Sequence, residues 1–257
     1  MFVTTAGRTT EALNEYGKQV AMDLHIPFVV RRKQSIRSLQ EYYDDDCIVA
    51  GKERLELHMR KSELPFFFHP NSANFRIKRL LKGEHDPFID AAELSEGMSV
   101  LDCTMGLASD SITASFAVGE TGRVVSLEGN KYLAYLVQKG LRNWCSDVDE
   151  MNVAMKRIQV HHSFYEDFFK KCSENMFDVV YFDPMFEESI LTSEGIKALR
   201  DLAIYGGISS DTMKEAKRVA RSRIVLKDHF RSPLFKEFNF QVYKRQSAKF
   251  HYGVITL

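Results

Sequence analysis

The sequence predicts a doubly wound α/β fold: a mostly parallel sheet closed by a C-terminal antiparallel hairpin and preceded by a small α+β extension. Three stretches carry this expectation. In Val100-Leu101-Asp102-Cys103-Thr104-Met105-Gly106-Leu107-Ala108-Ser109-Asp110 an apolar run ends in an acid, passes through small residues and opens a helical segment over 109–118. Small residues let a backbone approach a ligand closely, and a helix start offers free N–H groups, so this turn suits a nucleotide-like ligand as well as a plain βα connection. Val124-Val125-Ser126-Leu127-Glu128 is a second strand ending in an acid. Glu128 stands about 26 residues after Asp102, near the spacing at which an acid meets a ribose in dinucleotide folds, and a carboxylate there accepts from both hydroxyls. Phe177-Asp178-Val179-Val180-Tyr181-Phe182 is a third strand, ending in Asp183-Pro184-Met185-Phe186. All three place polar groups at the carboxyl ends of strands, the edge at which open α/β sheets bind ligands.

At 257 residues the chain has room for one large α/β unit and a smaller one. A hydrophobic share of 44% and a charged share of 27% are those of an ordinary soluble protein. Lys and Arg (35) balance Asp and Glu (35), which removes any bulk pull toward nucleic acid and leaves charge to be read locally. Cys47, Cys103, Cys145 and Cys172 are far apart, without metal-ligand spacing, and read as reduced thiols in a cytoplasmic protein. No signal pattern and no apolar run near about 18 residues argues for a membrane or for export.

In the extension, residues 1 to 65, the spacing of Leu13, Tyr16, Val20 and Leu24 predicts a helix over 8–24 capped by Thr9 or Thr10. Phe28-Val29-Val30 reads as a short strand, 36–43 as a helix, 47–58 as a hairpin and Pro65-Phe66-Phe67-Phe68 as one further strand. Residues 66 to 97 form a linking segment in which Arg76, Lys78, Arg79 and Lys82 interleave with Phe75, Ile77, Leu80 and Leu81. A solvated amphipathic helix and a phosphate-contacting helix both fit this pattern. From residue 98 to 257 strands and helices alternate: helices over 130–142, 164–171, 193–202 and 210–220, strands over 157–160 and 223–227, and a closing pair at 240–243 and 251–255. His161-His162 reads as an ordinary strand end, Trp144 as a packing residue, and Lys227 as either a phosphate contact or a solvated strand end.

Hydride transfer and methyl transfer both begin from a turn like 102–108, and Asp183-Pro184-Met185-Phe186 decides between them. A carboxylate, a proline that cannot donate and an aromatic ring suit an exocyclic amine held flat, with its N–H groups accepted and its ring stacked on Phe186. The amine lone pair then points at an electrophilic methyl. Asp183, Pro184 and Phe186 are therefore the candidate catalytic residues, with Asp183 as a helix cap the structural alternative.

These motifs resemble the class I S-adenosylmethionine-dependent methyltransferases, and more narrowly the RsmJ family, which methylates a guanine amine (N2) of small-subunit ribosomal RNA. The resemblance runs from about Cys47 onward, through Leu55-Glu56-Leu57, the basic stretch 74–79, Leu101 to Leu107, Leu127-Glu128-Gly129-Asn130, Asp183-Pro184-Met185-Phe186, Val225-Leu226-Lys227 and Ser232-Pro233-Leu234. It implies a Rossmann-like sheet and S-adenosylmethionine as cofactor. To the turn residues Asp102, Thr104 and Gly106 it adds cofactor contacts at Ser109, Asp110, Glu128, Gly129, Phe164, Tyr165 and Asp183. The family usually has glycine at Ala108, basic residues at Ser109 and Gly129, serines at Phe164 and Tyr165, and proline at Glu187. The resulting expectation is an RNA base methyltransferase without a metal, whose extension and cations (Arg76, Lys78, Arg79, Lys82, with Lys227) hold RNA. A methyltransferase of another amine substrate and a non-catalytic RNA-binding protein on the same fold are the alternatives.

Overall fold

The computed structural model describes residues 1–184, 207–245 and 248–257. Phe186, Glu187 and the helix expected over 193–202 lie outside the described residues.

The N-terminal unit is a four-stranded sheet, ordered as numbered, of β1 (Phe2–Thr5), β2 (Cys47–Ala50), β3 (Leu55–His58) and β4 (Phe66–Phe67). Helix α1 (Glu11–Leu24) and helix α2 (Ile36–Tyr43) accompany it. The Thr10 side chain accepts from the Leu13 N–H and so caps α1, satisfying one of the helix's free donors. Strand β1 is not expected from the sequence: its four residues are all buried, so no period-2 alternation marks them, and its partner β2 lies parallel some 45 residues away. Conversely, Phe28-Val29-Val30 makes a single bridge, Phe28 to Val3, and no strand. The sheet also runs past residue 65, since β4 pairs Phe66 and Phe67 with Leu57 and Glu56.

Two short helices follow, α3 (Asn71–Leu80) and α4 (Pro87–Ala92). Asp86 caps α4 by accepting from the Phe88 and Ile89 N–H groups, and Pro87 starts the helix where its missing N–H costs nothing.

The larger unit begins with β5 (Ser99–Asp102), α5 (Ser109–Val118), β6 (Arg123–Glu128), α6 (Lys131–Asn143), α7 (Asp149–Arg157), β7 (Gln159–His162), α8 (Tyr165–Phe169) and β8 (Phe177–Phe182). It closes with α9 (Ser210–Val219), β9 (Ala220–His229), α10 (Leu234–Glu237), β10 (Gln241–Tyr243) and β11 (Phe250–Thr256). The seven strands are ordered β10-β11-β9-β8-β5-β6-β7. Five run parallel, from β7 to β9, and β11 is antiparallel to both of its neighbours. Because β5 starts the unit yet lies centrally, with β6 on one side and β8 on the other, the chain crosses over at β5 and opens a crevice at the strands' carboxyl ends.

The two sheets share apolar packing. One core cluster joins Val3, Ile48, Leu57 and Phe66 of the first unit to Ile112, Leu133, Val137 and Met151 of the second. Gly140 of α6 lies so close to Phe68 that a Cβ there would sit 2.3 Å from the ring. Any larger residue must push α6 away, an overpacking cost of about 1–3 kcal/mol. Trp144 meets the same Phe68 edge-on at 6.0 Å between ring centroids, a packing role as the sequence suggests. Among the described residues no helix is long and apolar enough to cross a membrane.

Candidate active site

The carboxyl ends of β5, β6, β8 and β9 open onto a cleft of about 640 Å³. Its organisation starts at Asp102, which is 2% exposed. One carboxylate oxygen accepts from the Thr104 N–H at 3.1 Å and the other from the Ser111 hydroxyl, which in turn accepts from Ser126 at 2.9 Å. This chain of bonds fixes the turn after β5 to both α5 and β6. Burial pushes the Asp102 carboxyl up to about 7, against the pull of Ser111 and Thr104.

Within the turn Gly106 and Ala108 both adopt left-handed backbone, at φ 50° and 60°. For a residue with a Cβ this conformation costs about 1–2 kcal/mol. The local backbone therefore accounts for the glycine that the resemblance leads one to expect at Ala108. Among the described residues no side chain caps α5 at Ala108, which leaves its first-turn N–H groups open beside the cleft that Ser109 and Asp110 line. The Ser109 Oγ is itself buried and has no hydrogen-bond partner among the described residues.

Glu128, at the end of β6, accepts from the Asn130 N–H at 2.9 Å and from the Gly106 N–H at 3.3 Å. Burial raises its carboxyl above the usual range. Each oxygen keeps lone-pair capacity for a further donor, as two adjacent hydroxyls require. Gly129, Phe164 and Tyr165 complete this side of the cleft. Phe164 is 45% exposed, whereas Tyr165 packs edge-on against Phe182 at 5.5 Å.

Opposite them lies an ionic network that links α3, α5, β8 and β9. Asp110 accepts from Arg76 at 2.5 Å with one oxygen, and from Tyr181 at 3.0 Å and Lys227 at 3.1 Å with the other. Lys227 also donates to Asp183 at 2.5 Å, and Arg76 to Asp86 at 2.7 and 2.8 Å. Burial works against every charge here and the partners decide the outcome. Lys227 and Arg76 outweigh it for Asp110, which is held well below the carboxylate range. Asp110 and Asp183 outweigh it for Lys227, and the two aspartates Asp110 and Asp86 outweigh it for Arg76, so both cations are raised. For Asp183 burial prevails over Lys227, and its carboxyl is pushed up to about 6. The Asp183 N–H donates to the Thr104 hydroxyl at 2.6 Å, which locks the end of β8 to the turn after β5.

The structure thus gathers Asp102, Thr104, Gly106, Ser109, Asp110, Glu128, Gly129, Phe164, Tyr165, Asp183 and Pro184 around one cleft. Two of the cations named for RNA have acid partners at this cleft. Arg76 and Lys227 are turned inward onto carboxylates, with side chains 16% and 17% exposed, and neither offers its charge to solvent. Asp86, Tyr252, Arg245 and Phe250 also line the cleft and are not expected from the sequence. The Asp86-Pro87 dipeptide before a helix is a legible capping signal; Tyr252 and Phe250 are brought there by the pairing of β11 with β9, and Arg245 lies just beyond β10.

A mostly parallel seven-stranded sheet with this turn, this acid after β6 and this cleft defines a class I S-adenosylmethionine-dependent methyltransferase. The model of the family described as "Putative SAM-dependent methyltransferase" matches residues 32–251, and the chain belongs to that family. The chain is 48% identical to the Bacillus subtilis (strain 168) protein YpiP over 253 residues, 98% of each chain. It is 28% identical to ribosomal RNA small subunit methyltransferase J of Legionella pneumophila (strain Philadelphia 1) over 191 residues, 71% of this chain and 73% of that one. Its fold is similar to that of a SAM-dependent methyltransferase from Neisseria gonorrhoeae, with a TM-score of 0.64 and 16% identity over 100% of this chain and 96% of that one.

S-adenosylmethionine is the cofactor, and the unpartnered Ser109 Oγ, the uncapped start of α5 and the spare acceptors of Glu128 fit it. Glu128→Ala is expected to weaken cofactor binding tenfold or more, because each charge-assisted hydrogen bond contributes about 1.5–3 kcal/mol. Titration calorimetry on the purified protein measures this, and an unchanged Kd would remove Glu128 from the ribose role.

Proposed function

We propose that the chain methylates the exocyclic amine, N2, of a guanine in small-subunit ribosomal RNA. The observation that carries this reading is Asp183-Pro184 at the carboxyl end of β8, lining the same cleft as Ser109 and Glu128. The ribosomal target is supported by the likeness to methyltransferase J.

Bound S-adenosylmethionine supplies a methyl group made electrophilic by a positively charged sulfur. Asp183 acts on the other reactant. Its ionised carboxylate accepts an N–H of the amine and turns the lone pair toward the methyl, so that much of the rate comes from positioning. As the nitrogen acquires positive charge, the carboxylate stabilises it and takes the proton the amine must lose. A carboxyl pushed up to about 6 holds that proton better than an ordinary aspartate. Pro184 offers no competing N–H, and Phe186, two residues on, is assigned the stacking face.

Lys78, Arg79 and Lys82 are the α3-side cations left to meet phosphates, with the N-terminal unit beside them. Lys78 is paired with Asp147 and Arg79 with Glu84, but all four side chains are more than 40% exposed. Exposed pairs contribute at most about 1 kcal/mol, so a phosphate readily displaces the acid. Replacing all three cations with glutamine is expected to reduce the slope of log affinity against log salt by about 0.7–0.9 for each phosphate that is no longer neutralised. An unchanged slope would make this face a solvated surface. The target itself is tested by mass mapping of ribosomal RNA from strains with and without the protein. Loss of one methylguanine is expected, and identical maps would overturn the ribosomal assignment while leaving cofactor binding intact.

A further inference from the structure

We infer that the outer end of the β9–β11 strand pair is a second RNA-docking surface, which holds an unpaired nucleotide next to the target base by stacking on Phe230 and by phosphate contacts from Arg231 and Lys249. The inference rests on the RNA reading above and gives it a contact surface in addition to α3.

Strand register connects this surface to the site. Lys227 pairs with Tyr252, and two residues further along the same face His229 pairs with Phe250. Lys227, Tyr252 and Phe250 line the cleft, so the His229–Phe250 pair carries its wall outward by one pleat repeat, about 7 Å. At that end Phe230 is 45% exposed, with its ring 4.5 Å from His229 and 6.1 Å from His251. An exposed ring braced by two others presents a rigid flat face, which a base stacks on whatever its identity. Arg231 lies over the Phe230 ring at 5.0 Å, and Arg245 over Phe250 at 4.8 Å beside the cleft.

Charge complementarity selects the partner. Arg231, Lys244, Arg245 and Lys249 cluster at this edge, and none pairs with a carboxylate among the described residues. The acid nearest in sequence, Asp228, is buried and already accepts from the Ser232 hydroxyl and the His229 N–H. Lys78 and Arg79 on α3, by contrast, each have an acid partner. Cations without a carboxylate partner beside an exposed aromatic are what single-stranded RNA recognition uses.

The test uses the full chain and a labelled single-stranded RNA of about ten nucleotides, within the roughly 4–16 nucleotides that such surfaces engage, with binding followed by anisotropy across a salt series. The variant Phe230→Ala/Arg231→Gln/Lys249→Gln is expected to bind at least tenfold more weakly, and its salt slope to be shallower by about 0.7 per cation removed. Cofactor affinity should stay at the wild-type value, and in methyl transfer the KM for RNA should rise while kcat is kept. The conservative variant Phe230→Tyr/Arg231→Lys/Lys249→Arg should bind like wild type. Triple-variant affinity within twofold of wild type with an unchanged slope, or loss of binding in the conservative variant as well, would overturn this surface. A wild-type protein that binds cofactor but methylates no RNA would instead overturn the reading on which the surface rests.

Discussion

Asp183→Asn is expected to slow methyl transfer by about 10²–10³ at saturating cofactor and RNA, the usual cost of losing one preorganised electrostatic partner. The substitution is nearly isosteric, and Lys227 keeps its bond to Asp110, so the end of β8 should hold its place. The amide oxygen still faces an N–H of the amine, which preserves part of the positioning. It carries no charge to stabilise the developing ammonium and cannot take its proton. A pH profile separates these effects. The wild-type carboxyl sits at about 6, so the wild-type rate should rise with pH through that value as Asp183 ionises and level off above it. The variant should lack that limb. Single-turnover transfer isolates the step, and a wild-type rate in Asp183→Asn would make this carboxylate structural.

Much of the sheet is legible because its central strands write their own boundaries. The strand at 177–182 and the helix at 109–118 fall where the apolar run and the small-residue turn predict them. Helix α7 gives a weaker signal. Its buried residues are Met151, Ala154 and Met155, too few for a clear stripe, so the apolar pattern marks only a strand from residue 157 onward. Charge marks the helix instead: Asp149 and Glu150 open it while Lys156 and Arg157 close it, the arrangement that complements the helix dipole. Strand β1, buried on both faces, carries no alternation to read. At the site the sequence locates the acids but not their partners. Arg76 belongs to a run that reads as a basic face, and its turn toward Asp110, 34 residues away, is a tertiary event. Lys227 likewise meets Asp110 and Asp183 across 117 and 44 residues. No local pattern distinguishes a lysine that faces solvent from one that two aspartates draw inward.

Lys227→Met is expected to destabilise the fold by about 3–5 kcal/mol near pH 8, the cost of breaking a buried ionic network by removing one partner. Lys227, Asp110 and Asp183 have side chains 17%, 10% and 23% exposed, so water replaces little of the lost charge. Methionine matches the stem in length and leaves no large void, which isolates the electrostatic part. The variant leaves Asp110 with Arg76 and Tyr181, but Asp183 loses its cation. The sign of the pH dependence follows from the shifts. The raised folded-state pKa of Lys227 means that its contribution is complete below its ordinary value near 10.5 and is lost as pH rises through the folded value. The lowered pKa of Asp110 means that its contribution is present above the ordinary carboxylate value and is lost as pH falls. Asp183, raised to about 6, behaves oppositely: the folded state binds its proton more readily, so its charge costs stability increasingly from about pH 4 to 6. Protonation of Asp183 therefore relieves the variant, and the destabilisation should be smaller at pH 5 than at pH 8. Adding Asp183→Asn to Lys227→Met removes the unpaired charge, and the pair should recover about 0.5–3 kcal/mol relative to the sum of the single changes. Urea unfolding of the four proteins at both pH values gives the cycle. Additive losses with no pH dependence would show that Lys227 is held by packing, and the role of cation to Asp183 would pass from it to another group in the cleft.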